Sequence, residues 1–135
     1  MKYKFIEDLV SAVMFEAYGK TLDELFVNAA EALFSVICQI DKIKEKTTKE
    51  IEVRADNIED LMFNWLQELI ATVDIDSLFF SRFEILEINE KYIKAKCYGE
   101  PITPEKGGTV VKAITNYKFK VEKNGKYKAT VSCDI

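Results

Sequence analysis

The last two residues of the chain are the strongest candidates for chemistry. Asp134 and the terminal carboxylate of Ile135 place two negatively charged groups within one residue of each other. Asp8, beside the first predicted strand, would supply a third carboxylate if that strand pairs nearby. Groups of oxygen ligands suit hard cations such as calcium, magnesium or manganese. The competing interpretation is an exposed, frayed terminus, which composition alone favours.

The rest of the composition argues against an enzyme. The sequence has no histidine, which removes the commonest general base, the usual partner of a nucleophilic Ser or Cys, and the commonest transition-metal ligand. No Gly-rich phosphate loop joins a strand to a helix. Cys38, Cys97 and Cys133 are odd in number and far apart on apolar faces, so they indicate buried thiols rather than disulfides or a zinc site. A small metal-dependent hydrolase is therefore disfavoured.

The overall composition is typical of a soluble globular protein, with 48% hydrophobic and 31% charged residues. A length of 135 residues is enough for a core, and we expect a single domain over residues 1–135. The net charge of −4 argues against strong nucleic-acid binding, which needs a basic patch. The sequence shows no apolar run of membrane-spanning length and no signal peptide, so we expect a cytoplasmic protein.

Two helices with the same pattern organise the chain. Residues 57–73 begin with Asn57 as N-cap and Asp60 in the first turn, and residues 21–37 begin with Thr21 and Glu24 in the same roles. Each stretch carries a wide apolar stripe at helical spacing, with Trp65 in the centre of the second. The match indicates a duplicated strand–helix unit, although two unrelated amphipathic helices would look alike.

The remaining stretches predict strands that pack against these helices. Together they predict an α+β fold, a two-layer sandwich with both helices on one side of one mostly antiparallel sheet. Strict alternation along Val110–Val121 puts Val111 and Thr115 on one face and Ile114 on the other, and alternation along Lys126–Ile135 points Asp134 away from the core. The first helix is predicted at Leu22–Gln39, and the strands at Tyr3–Ile6, Val10–Tyr18, Glu50–Ala55, Leu78–Ile88, Tyr92–Tyr98, Val110–Val121 and Lys126–Ile135.

Four stretches of the sequence resemble the archease family. They are AYGKTLDELFVNAAEALFSVI at 17–37, DLMFNWLQELIATVDIDSLFFSRFEI at 60–85, GEPITPEKGGTVVKAITNYKFKV at 99–121 and the terminal CDI at 133–135. The resemblance runs nearly end to end. It implies a small α+β protein built from strand–helix–strand–strand modules, which would explain the repeated helix.

The resemblance also implies a function and partners. It implies a non-enzymatic accessory factor of the GTP-dependent tRNA-splicing RNA ligase, one that promotes guanylylation of the ligase and sustains its turnover. The alternative is a chaperone-like modulator of a tRNA cytosine methyltransferase. In both cases the expected partner is a protein, and no strong direct binding to nucleic acid or to a membrane is expected.

The resemblance further assigns residues to a site. The family's metal site joins an Asp from an N-terminal His-Thr-Ala-Asp motif to the penultimate Asp and the terminal carboxylate. Asp134 and Ile135 match the last two, whereas Ala12 stands where the N-terminal Asp belongs. Asp8 is the candidate substitute, and a divalent cation (calcium, or manganese or magnesium) is expected to bind weakly. Lys112 matches a family lysine and is assigned to the ligase interface; a solvated strand lysine is the alternative.

Overall fold

The structure is a computed structural model that describes residues 1–9 and 11–135, without the side chains of residues 7–9. Within these residues the chain forms two α-helices, two short 3₁₀ helices at Ile40–Lys42 and Pro104–Lys106, and seven strands. The larger elements are β1 (Tyr3–Leu9), β2 (Ala12–Gly19), α1 (Leu22–Ile37), β3 (Thr47–Arg54), α2 (Ile58–Asp76), β4 (Leu78–Asn89), β5 (Tyr92–Pro101), β6 (Ala113–Asn124) and β7 (Lys126–Asp134).

The α+β class is confirmed, but the described strands form two antiparallel sheets where we expected one. One sheet has the order β1-β2-β7-β6, and the other has the order β3-β5-β4. The helices hold the sheets together, because α1 packs against β2 and β4 while α2 packs against β6 and β3. Each helix therefore covers parts of both sheets.

Sheet topology supports the duplicated-module interpretation. In one unit β3, α2, β4 and β5 follow each other in the chain, and the last strand, β5, lies between β3 and β4. In the other, β2, α1, β6 and β7 have the same arrangement, with the last strand, β7, between β2 and β6. The whole first unit is inserted between α1 and β6. This insertion explains the two sheets, because each unit completes its own set of strand pairs.

Both helices begin at the predicted caps. The Thr21 hydroxyl accepts a hydrogen bond from Glu24 N–H at 3.2 Å, and the Asn57 side-chain oxygen accepts one from Asp60 N–H at 2.9 Å. The helix ends differ from the prediction: α1 stops at Ile37 and α2 continues to Asp76. Among the described residues no helix has the length and apolar composition needed to cross a membrane.

The two apolar stripes meet in one core, and Trp65 is fully buried in it as predicted. Its indole N–H donates a hydrogen bond to the main-chain oxygen of Phe26 in α1, at 3.1 Å. The residue of α1 that corresponds to Trp65 in the repeat is Ala29, which is also fully buried. The repeat thus places a small and a large side chain at equivalent positions, so that the two helices pack closely.

The three cysteines are free and buried, as the sequence indicated. Burial raises the pKa of the Cys38 and Cys97 thiols to about 12. The same cause raises the pKa of the Cys133 thiol to about 12, with a smaller contribution from the neighbouring Asp134 carboxylate. A thiol with such a pKa stays protonated at neutral pH and is a poor nucleophile.

The predicted alternation along Val110–Val121 is wrong. Residues 108–112 lie outside any strand, β6 starts at Ala113, and Val111 and Ile114 are both buried. Within β6 the pairing changes register, since Thr115 pairs with Ser132 but Lys120 pairs with Thr130. The extra residues bulge out of the ladder, so a period of two cannot hold across them. Val10, predicted as the start of the second strand, lies outside the described residues, and β2 begins at Ala12.

Candidate functional site at the C-terminal strand

The C-terminal strand lies in the interior of its sheet, between β2 and β6. Both neighbours pair with it as far as its last residue. Asp134 is consequently the Cα partner of Ala12 on one side and of Ala113 on the other. The sheet therefore positions the end of the chain from two directions.

Main-chain hydrogen bonds continue this support past the strand end. The Asp134 carbonyl oxygen accepts a hydrogen bond from Lys112 N–H at 2.8 Å. On the other side, Ile135 N–H donates to the carbonyl oxygen of Ser11 at 3.2 Å. The last two residues are therefore held by neighbours on both sides, whereas a frayed terminus would leave these groups to water.

The side chains at the strand end alternate as predicted. Cys133 is buried, Asp134 is exposed, and Ile135 packs against the core. The Asp134 side chain is therefore exposed on the strand face opposite Cys133, although Ser132 on that same face is buried, and the residues before and after Asp134 anchor the strand. This arrangement offers a carboxylate at a fixed position to a binding partner.

The described residues do not assemble a metal site at this edge. The residues opposite Asp134 on both sides are alanines, and no group of three or more His, Cys, Asp or Glu suited to a metal occurs in the part of the chain that is described. Two carboxylates fall short of the six to eight oxygen ligands that calcium takes. Asp8, the predicted third ligand, belongs to β1, but its side chain lies outside the described residues.

Lys112 lies one residue before β6, with its main chain bound to Asp134. Its side chain is exposed. The salt bridges found among the described residues do not include Lys112. The structure thus brings Asp134, Ile135 and Lys112 together where β7 ends, a position that we call the C-terminal edge of the sheet.

A family model, that of the Archease protein family, matches residues 3–135. The chain belongs to the archease family. The curated relatives agree over most of their length. An archease of Pyrococcus abyssi is 42% identical over 125 residues, which cover 87% of this chain and 88% of that protein. An archease of Methanosarcina mazei is 36% identical, and the matched stretch covers 99% of this chain and 96% of that protein.

Solved structures share the archease fold. The solution structure of protein 1598 of Methanobacterium thermoautotrophicum superposes with a TM-score of 0.81 at 26% identity and covers 99% of both chains. The crystal structure of a Thermotoga maritima protein, described as an archease and possible chaperone, superposes with a TM-score of 0.69 at 20% identity. That match covers 96% of this chain and 98% of the other, and at this identity it supports the fold alone.

Sequence reasoning missed Glu100, the acid that fixes the loop leading to this edge. Glu100 is only 3% exposed. Its carboxylate accepts hydrogen bonds from Lys44 N–H at 2.6 Å and from Lys106 Nζ at 2.9 Å, and Lys46 Nζ lies 3.7 Å away. The bond from the Lys44 main chain, followed by that from Lys106, holds the pKa of the Glu100 carboxyl below its usual value. The only signal in the sequence was an acid between Gly99 and Pro101, two residues that predict a loop but end β5 in the structure.

The same loop is docked on the end of α1. Gly108 N–H donates to the Ile37 carbonyl oxygen at 2.9 Å, and Thr109 N–H donates to that of Val36 at 2.8 Å, so the loop satisfies acceptors that the helix end leaves free. A Cβ on Gly108 would lie 2.4 Å from the Val36 oxygen, which explains the glycine. The segment after β5 thus positions Val111 and Lys112 beside the C-terminal strand; the sequence predicts a loop over residues 99–108, but its first three residues belong to β5.

A second feature missed by sequence reasoning is the bulge in β6. Lys118 has a φ of 53°, in the left-handed region that residues other than glycine seldom adopt. Tyr117, next to it, is half exposed, and the Lys118 ammonium lies 5.4 Å from the centre of the Tyr117 ring. Strained backbone of this kind clusters at functional sites.

Proposed function

We propose that this protein activates the GTP-dependent tRNA-splicing RNA ligase as an accessory factor. It promotes guanylylation of the ligase and sustains multiple turnovers, and it catalyses no reaction itself. Membership of the archease family over residues 3–135 supports this proposal. One observation links the proposed function to particular residues. At the C-terminal edge, the penultimate Asp134 and the terminal Ile135 are held in place by hydrogen bonds to β2, β6 and the residues next to them.

The edge would act through its fixed charges. Asp134 offers an anion and Lys112 a cation, and the hydrogen bond between their main chains keeps the two residues adjacent. Two opposite charges carried by neighbouring, hydrogen-bonded main chains can fix the register of a charged partner and steer its approach. Because the described residues do not fit a metal cage, the proposal gives no step to a bound cation.

Ligase turnover tests the proposal. The ligase of the same organism is given broken RNA and limiting GTP, with and without this protein at substoichiometric amounts. We expect repeated turnover with the protein and a nearly single turnover without it. Guanylylated ligase is measured in the same reactions, because the proposed effect lies on that step. An unchanged rate of both ligation and guanylylation would exclude this function.

A second candidate is a chaperone-like modulator of a tRNA cytosine methyltransferase. Membership of the archease family supports it, because a Thermotoga maritima protein described as an archease is also described as a possible chaperone. The two functions separate in one experiment. If the second function is correct, adding the protein to the methyltransferase of the same organism raises the amount of soluble, active enzyme, whereas ligase turnover does not change.

The partner in either case is a protein in the cytoplasm. The net charge of −4 opposes strong attraction to a polynucleotide phosphate backbone, so we expect direct RNA binding to be weak at physiological salt. Tight RNA binding that falls steeply with rising salt would contradict this part of the proposal.

A further inference from the structure

An apolar cavity of about 200 Å³ opens where the C-terminal ends of both helices meet residues 102–111. Ile37 at the end of α1 and Ile70 near the end of α2 form part of its wall, and residues 107–111 close it from the third side. Asp74 is the charged residue among those that line it. Neither Lys112 nor Asp134 is among the residues that line it.

Two exposed aliphatic side chains line this cavity, and a third belongs to the residue that follows Asp74 in α2. Val110 is 76% exposed and Ile102 is 39% exposed, and both line it. Ile75, which follows Asp74 in α2, is 79% exposed. Single exposed aliphatic residues are ordinary, but several grouped around an open apolar cavity are typical of an interaction site.

The electrostatics of the mouth favour a cation. The last turn of α2 contains no basic residue, so no cation within that helix opposes the partial negative charge of its end. Asp74 adds a full negative charge at the end of α2. Asp76 pairs with Lys49 at 3.1 Å, whereas Asp74 has no salt bridge with any residue the structure describes. A carboxylate in this place lowers the stability of its own helix, and a cation from outside would offset that cost.

The size of the cavity selects the kind of occupant. An apolar cavity of roughly 150 Å³ accepts benzene, whereas sites for whole small-molecule ligands usually measure about 300–1,000 Å³. This cavity therefore fits one aliphatic side chain better than a cofactor. We propose that it docks a segment of a partner protein in which an aliphatic side chain adjoins Lys or Arg. The aliphatic side chain fills the cavity and the cation pairs with Asp74, whichever enzyme the protein activates.

Amide chemical shifts of the ¹⁵N-labelled protein test this inference with three capped dipeptides. The probes are N-acetyl-Leu-Arg-amide, N-acetyl-Leu-Glu-amide and N-acetyl-Gly-Arg-amide. We expect saturable shifts confined to residues 107–111 and to Asp74 and Ile75 with the two Leu probes, and none with the Gly probe. Leu-Arg should bind about threefold more tightly than Leu-Glu, the effect of one exposed charge pair.

Two variants assign the charge preference to one carboxylate. Asp74→Asn should make the affinities for Leu-Arg and Leu-Glu equal. Asp76→Asn, a matched change beside it at a residue paired with Lys49, should keep the preference. The inference is overturned if no probe gives saturable shifts at the cavity or if Leu-Glu binds as tightly as Leu-Arg to the unaltered protein. It is also overturned if shifts at these residues depend on protein concentration alone, which would indicate a second copy of the chain.

Discussion

Ala12 and Asp134 are Cα partners in the ladder between β2 and β7. Such cross-strand partners have their Cβ atoms about 5 Å apart on the same face of the sheet. The archease resemblance predicts a carboxylate at position 12, and in this chain the Ala12 methyl group stands opposite Asp134 instead. The effect of the missing carboxylate can therefore be tested by placing an Asp at position 12.

Ala12→Asp should restore affinity for divalent cations. The new carboxylate would face Asp134 across one ladder step, and calcium sites gain affinity with each added charged ligand. We expect calcium to bind at least roughly tenfold more tightly than to the natural chain, measured by isothermal titration calorimetry. Ala12→Asn, which adds an oxygen without a charge, is the matched control. Equal calcium affinity in all three folded proteins would contradict the prediction.

Asp134→Ala and the addition of one glycine after Ile135 should each abolish ligase activation. The first change removes the exposed carboxylate and the second moves the terminal one. Because Asp134 is exposed, its replacement should alter the free energy of unfolding by less than about 0.5 kcal/mol. Glu90→Ala, at an exposed turn between β4 and β5, is the control. Full activation by both altered proteins would show that the C-terminal edge is not the functional site.

Lys112→Met should weaken ligase activation while the protein stays folded. The substitution keeps an unbranched apolar stem and removes the cation beside Asp134. Charges at the rim of an interface act mainly on association rate, so the concentration needed for half-maximal activation should rise and should depend less on salt. Lys123→Met, at an exposed lysine of β6, should behave like the unaltered protein. If the activation curve of Lys112→Met matches those of Lys123→Met and the unaltered protein, Lys112 is an ordinary solvated surface lysine.

Glu100→Gln should destabilise the protein at neutral pH and flatten its acid response. The folded-state pKa of Glu100 lies below its unfolded value, so its contribution is fully present above about pH 4.3 and is lost as pH falls through the folded pKa. The amide cannot balance the charges of Lys46 and Lys106. Between pH 7 and pH 3 the midpoint temperature of thermal unfolding should therefore fall less for Glu100→Gln than for the exposed control Glu105→Gln. Parallel curves would rule out this role.

Trp65→Phe should lower the free energy of unfolding by about 2 kcal/mol, from a cavity and a lost hydrogen bond. The indole N–H bond to the Phe26 oxygen links α2 to α1, and the ring is fully buried. Urea unfolding followed by circular dichroism measures the change. A loss below about 0.5 kcal/mol would mean that the core closes around the smaller ring without cost.

The sequence alone determined the local features of the fold. The caps at Thr21 and Asn57, the buried stripes and the burial of Trp65 follow from hydrogen bonds and periodicity within one helix, which neighbouring residues decide. The inward Cys133 and outward Asp134 follow from the period of two in a regular strand. Family membership could be inferred for the same reason, because it depends on contiguous stretches.

The tertiary structure decided everything that depends on which distant segments pair. Local patterns could not show that β7 lies between β2 and β6, and so could not place Ala12 opposite Asp134. Alternation failed across the β6 bulge because a ladder can take extra residues on one strand only. The cavity beside Asp74 is also non-local, since two helix ends and a loop build it together. Strand order and helix packing are set by the total burial of apolar surface, a property of the whole chain that no single stretch of the sequence carries.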